Sequence, residues 1–104
     1  GNIDEALGFA QVAKEQMPKN GAVMDTLGWI YYLKGSYLNA IAELQESLAQ
    51  NPDNPAINFH LGLAYYKNNK ADKAKDFMQK ALNINQNFKG AKKARSVLKE
   101  INAS

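Results

Sequence analysis

The sequence predicts an all-α fold of about six helices arranged as antiparallel pairs, and three observations carry that expectation. Apolar residues recur at i, i+3, i+4 and i+7 within blocks of helical length, the spacing of one helix face. The blocks are separated by Pro18, Gly35-Ser36, Asn51–Pro55 and Asn68-Asn69, residue types that end helices and turn the chain. The third observation is an internal repeat. Leu27-Gly28-x-x-Tyr31 with Ala40, Leu44 and Pro52 returns 34 residues later as Leu61-Gly62-x-x-Tyr65, Ala74 and Met78. A fixed period of that length means one supersecondary unit stacked on the next. At 104 residues the chain is long enough for a single domain with one core.

Residues 2–16 read as the first helix, with Asn2 as N-cap, Asp4 and Glu5 suited to the positive helix start, and Pro18 beyond the end. Its Ile3, Ala6, Ala10, Ala13 and Met17 align, 34 residues apart, with Tyr37, Ala40, Leu44, Ser47 and Asn51. Residues 1–18 are therefore the second helix of a unit whose first helix is absent, and Ile3, Leu7, Phe9 and Val12 should have little cover. The chain opens on Gly1-Asn2 in mid-pattern, as an excised piece of a longer protein does.

A complete unit spans residues 21–54. Its first helix, 21–34, carries the stripe Met24, Leu27, Gly28 and Tyr31; its second, 37–50, turns Tyr37, Ala40, Ile41, Leu44 and Leu48 inward. The next unit spans 55–88. Pro55 suits a first helical position, Asn58, Leu61, Gly62 and Tyr65 form the stripe of helix 55–68, and helix 71–84 carries Ala74, Phe77, Met78, Ala81, Leu82 and Ile84. Residues 88–101 form the last helix, with Ala91, Ala94, Leu98 and Ile101 on one face and Lys92, Lys93, Arg95 and Lys99 away from it. In strict 34-residue register Lys92, Arg95 and Lys99 fall on core positions, so the apolar stripe requires a slip of one residue. A polar-backed helix is what the end of a stack needs, because its outer face meets water. Asn102–Ser104 reads as a frayed end.

The order L-G-x-x-Y, Ala, large apolar residue and Pro at a 34-residue period resembles the tetratricopeptide repeat, over nearly the whole chain. Met24 and Asn58 stand where that motif has Trp, and Gln86 where it has Pro. The resemblance implies a right-handed α-solenoid in which Gly28 lets its paired helix approach and Ala40 answers from the other side. It also implies a concave wall built by the first helices, and a scaffold that binds other proteins. Asp25–Trp29 (DTLGW), Phe59-His60-Leu61-Gly62 and the closing A-x-x-A-x-x-x-L-x-x-I look like the C-terminal end of long bacterial arrays, some of them associated with the envelope or exopolysaccharide. The compartment stays open between cytoplasm and bacterial envelope.

On the wall so implied stand Asp25, Trp29 and Tyr32 of one helix and Phe59, Leu63 and Tyr66 of the next, joined by Lys93 and Val97 of the last. Adjacent aromatic ladders exceed scattered surface apolarity, and Trp and Tyr most often dominate binding energy. The expected partner-binding residues are Asp25, Trp29, Tyr32, Phe59, Leu63, Tyr66 and Lys93, and the expected ligand is an apolar peptide or amphipathic helix. For Trp29 and Phe59 the alternative is packing against each other between adjacent first helices. Some family members grip the terminal carboxylate of a chaperone peptide through Lys, Asn and Arg. Asp25, Trp29, Phe59 and Leu63 occupy the corresponding wall here, so no such clamp is expected.

Other functions find less support. The chain has no cysteine, which excludes disulfides and thiolate metal sites. His60 is the lone histidine; it stands a turn from any nameable carboxylate partner and reads as a surface or rim residue rather than a catalytic one. With no nucleophile–base pair and no ligand cage, neither an enzyme nor a bound metal or cofactor is expected. No apolar run approaches the roughly 20 residues of a membrane span. The net charge of +3 is polarised: residues 1–66 carry −4 and residues 67–104 carry +7. Lys89, Lys92, Lys93, Arg95 and Lys99 read as a solvated face; nucleic-acid binding would want interleaved aromatics, and only Phe88 is near. Self-association into a homodimer through the open N-terminal end is the runner-up.

Overall fold

A computed structural model describes residues 2–103 and contains, among them, helices and turns but no strand. The helices are α1 (Asn2–Gln16), α2 (Gly21–Leu33), α3 (Tyr37–Gln50), α4 (Pro55–Lys67), α5 (Ala71–Ile84) and α6 (Ala91–Ala103). Each packs on the next in sequence, and α2 also meets α4, so the pairs stack into a body of 41 × 26 × 20 Å.

Local chemistry repeats with the sequence. Asn20 Oδ1 accepts the Val23 N–H at 3.1 Å and Asn54 Oδ1 accepts the Ile57 N–H at 3.2 Å, capping α2 and α4 alike. The α2–α3 and α4–α5 turns pass through the left-handed region at Gly35 (φ 81°) and Asn69 (φ 63°), where Gly carries no steric cost and Asn is the tolerated substitute. Within the first complete pair Gly28 lies against Leu44 and the Ala40 carbonyl.

Two buried clusters hold the stack. The first gathers Ala40, Ile41, Leu44, Leu61, Ala64, Tyr65 and Ala74 from α3, α4 and α5. The second joins Phe59, Leu63, Met78, Ala81, Ala94 and Val97 from α4, α5 and α6. Two buried polar residues serve the backbone instead. Ser47 Oγ donates to the Gly21 carbonyl at 2.7 Å. Asn58 Nδ2 donates to the carbonyls of Pro52 and Asn54 at 3.2 and 2.9 Å, tying the α3–α4 loop to α4.

α1 is attached by one apolar face and by charge. Lys14 Nζ reaches Glu43 at 2.6 Å and Glu46 at 2.7 Å, and Lys34 pairs with Asp4. The hydrogen bonds it donates to Glu43 and Glu46 hold the Lys14 ammonium above the usual lysine range. Its other face is bare, with Phe9 70% and Val12 50% exposed.

The structure corrects the ends of the chain. Asn2 lies inside α1 rather than capping it, and Gly1 is outside the described residues. The last helix starts at Ala91, not Phe88, because the segment before it is committed to turns. There Asn85 Oδ1 accepts the Asn87 N–H at 2.9 Å, and the Ala91 N–H donates to the Phe88 carbonyl at 3.0 Å. Asn102 and Ala103 are helical rather than frayed; Ser104 lies outside the described residues.

Candidate functional site

Side by side, α2 and α4 form two walls of a cavity of about 600 Å³, closed at one side by the Phe88–Gly90 turn. From α2 come Asp25, Thr26, Trp29 and Ile30, a one-face helical spacing; from α4 come Ala56, Phe59 and His60. The turn adds Phe88 and Lys89, and Gly90 lets it close: a Cβ there would stand 2.5 Å from Phe59 Cε2.

The walls are held by a run of ring contacts. Tyr32 stacks on Trp29 with centroids 4.8 Å apart, and Trp29 stacks on His60 at 4.4 Å. Phe59 meets His60 at 5.9 Å and Phe88 edge-on at 5.5 Å. Such pairs are worth about 0.5–1.5 kcal/mol each beyond area burial. The polar link across the walls is His60 Nδ1 with Asp25 Oδ1, 2.8 Å apart.

Of the seven residues expected from sequence, Asp25, Trp29 and Phe59 line the cavity. Tyr32 is half-buried and backs Trp29; burial pushes its hydroxyl above the usual tyrosine range, with Tyr37 adding to the effect. Tyr66 packs against both core clusters, and its hydroxyl is raised by that packing and by the neighbouring Glu100 carboxylate. Trp29, Tyr32, Phe59 and Tyr66 thus belong to or pack on the same second cluster. Leu63 is only 5% exposed and Val97 1%; both belong to the cluster that joins α4, α5 and α6, so both are core rather than wall. Lys93 is exposed on α6 and lies outside the cavity lining. Trp29 and Phe59 each make a ring contact with His60, which links them.

His60 is the main correction. It has a carboxylate partner, and the partner is Asp25, 35 residues away. Residues one repeat apart stand side by side on stacked first helices, so pairing Asp25 with the Phe59-His60 step would have revealed it. Phe88 and Gly90 were hidden because their segment reads as helix.

Among the described residues no group of three or more His, Asp or Glu is placed to hold a metal ion, and no helix is long and apolar enough to cross a membrane.

Stacked helix pairs presenting a walled hollow between their first helices define a helical-repeat module. Residues 28–69 match the family described as TPR repeat and residues 55–88 the tetratricopeptide repeat. The chain belongs to the tetratricopeptide-repeat family, a family of protein-interaction modules, and its role is in protein–protein interaction. Its fold is similar to that of the first TPR of Spaghetti (RPAP3) bound to the HSP90 peptide SRMEEVD (TM-score 0.90, 19% identity, 99% of this chain and 79% of that one). It is also similar to the first TPR domain of human RPAP3 (TM-score 0.80, 18% identity, 98% of this chain and 84% of that one). At such identities the likeness is one of fold. No curated protein matches by sequence.

Proposed function

We propose that this chain is a non-catalytic scaffold that takes an apolar peptide or helix of a partner protein into the α2–α4 cavity, as part of a larger multiprotein assembly. The observation that carries this reading is the cavity itself: about 600 Å³, walled by Trp29, Phe59 and Phe88. That volume lies within the roughly 300–1,000 Å³ of ligand pockets, and it suits a few anchoring side chains of a longer segment. The RPAP3 neighbour holds SRMEEVD, a peptide with acidic residues near its end. Here the lining offers Lys89 and an already engaged His60 as its basic groups, which supports an apolar ligand over an acidic one.

Trp29 is the only tryptophan, so its emission reports on the cavity directly. Titration with amphipathic helical peptides should shift that emission saturably, and SRMEEVD should not. Thr26 is exposed and lines the cavity, so Thr26→Arg should block binding while leaving the melting curve in place. Unchanged emission with every amphipathic peptide, or undiminished binding by the Thr26 variant, would refute the reading.

The bare face of α1 favours a second reading. Phe9 and Val12 are exposed at 70% and 50%, and Met17, just past the helix, at 45%; this supports self-association through the N-terminal end of the stack. Light scattering should then show a dimer whose fraction rises with concentration and vanishes in Phe9→Glu; a monomer throughout would dismiss it.

A further inference from the structure

Asp25 is the only acidic residue in α2 or α4, and it stands in the cavity wall with its side chain 23% exposed. One carboxylate oxygen is engaged by His60 at 2.8 Å. The other takes no hydrogen bond from a described residue and is not sealed from solvent. A carboxylate has about four acceptor sites, so those His60 leaves open can take a donor from a ligand in place of water. The rings of Trp29, Phe59 and Phe88 line the same cavity, and aromatic rings attract cations. A carboxylate with open acceptor capacity in an aromatic-lined cavity suits one side chain in particular. A guanidinium supplies a planar fork for the carboxylate and a flat cation for the rings, where an ammonium supplies only a point charge.

We propose that Asp25 determines specificity, selecting a partner segment that carries an arginine beside its apolar anchor. The proposal rests on the cavity being the partner site. The other formally charged side chain in the cavity lining is Lys89, from the Phe88–Gly90 turn.

The test uses phenethylguanidinium and its uncharged counterpart phenethylurea, each titrated against the whole chain with Trp29 emission as readout. The guanidinium should bind about tenfold more tightly than the urea. Asp25→Asn, nearly isosteric, should bring the ratio close to one. Equal binding of the two probes by the natural chain overturns the proposal and leaves the apolar cavity standing. So does a preference that survives Asp25→Asn. Absence of binding by either probe overturns the cavity reading and this proposal with it.

Discussion

Gly28 and Gly62 hold the same position in consecutive units, and alanine at the two sites should act with opposite sign. Each substitution gains about 1 kcal/mol of helix propensity. At Gly28 the new Cβ would stand 2.6 Å from Leu44 Cγ and 2.9 Å from its Cδ2, against an ordinary carbon contact of roughly 3.5–4.0 Å. Leu44 is fully buried, and the atom in the way is its branch point, so the α2–α3 pair must separate. Overpacking of that kind costs roughly 1–3 kcal/mol, and an overlap of this depth belongs in the upper half. The net expectation for Gly28→Ala is a loss of about 1–2 kcal/mol. At Gly62 the nearest atoms are Met78 Cε at 3.1 Å and its Cγ and Sδ at 3.3 Å. A methionine with three rotatable bonds gives way by tenths of an ångström at little cost. Propensity then prevails, and Gly62→Ala should gain about 0.5 kcal/mol. For a domain of this size 1 kcal/mol moves Tm by roughly 4–8 °C, so circular-dichroism melts resolve both signs. Equal destabilisation by the two substitutions, or neutrality at Gly28, would refute the claim that the facing side chain, rather than the motif, sets the requirement for glycine.

Three further outcomes follow from named contacts. Gly90→Ala should cost roughly 1–3 kcal/mol by overpacking, because its Cβ would press on Phe59 and Phe88 at 2.5–2.9 Å; denaturant unfolding measures the loss, and Trp29 emission reports whether the cavity wall moves. In a spectrophotometric titration of the five tyrosines, Tyr32→Phe should remove a component ionising above the ordinary tyrosine range. Since burial disfavours the folded phenolate, Tyr32 lowers stability as pH rises from the unfolded pKa through its raised folded one, and the variant should be less sensitive to alkali there. Lys14→Gln should cost less than about 1 kcal/mol, because its partners Glu43 and Glu46 remain in contact with water. Its ammonium is raised, so that contribution is full below the unfolded lysine pKa and fades as pH climbs through the folded one, which melts in alkaline buffer would show.

What sequence could reveal depended on whether a feature lives on one helix or between two. The stripe Met24, Leu27, Gly28 speaks for a single helix, and all three residues are buried. The helix starts at Gly21, Tyr37, Pro55 and Ala71 fall at the expected positions, because loop residues with local backbone preferences announce them. Contacts across helices were less visible. Lys14 with Glu43 spans 29 residues and His60 with Asp25 spans 35; no periodicity within one helix encodes the rotation of its neighbour. Asn58 is buried on the stripe where the sequence put it, yet its amide holds two loop carbonyls, a role that only the loop's path discloses. Gly90 carried a signal, a glycine just ahead of an apolar stripe, but its purpose is the approach of Phe59 from another helix.

The cavity has one wall that is core and one that is not, and this asymmetry bears on how it would receive a partner. Phe59 is 8% exposed and sits in the cluster formed with Met78, Ala94 and Val97, while Gly90 fixes Phe88 against it. Displacing either ring would disturb the packing of α6, so this side is preorganised and demands little ordering on binding. On the α2 side, Trp29 rests on Tyr32 and His60, and Asp25 on His60 alone. These groups are part-buried rather than buried. A partner's apolar anchor would therefore meet a fixed seat at Phe59 and Phe88, and its polar neighbour would meet the Asp25–His60–Trp29 group. Affinity would come from the first and discrimination from the second, so substitutions at Phe59 should damage folding and binding together, whereas those at Asp25 should change which ligand is preferred.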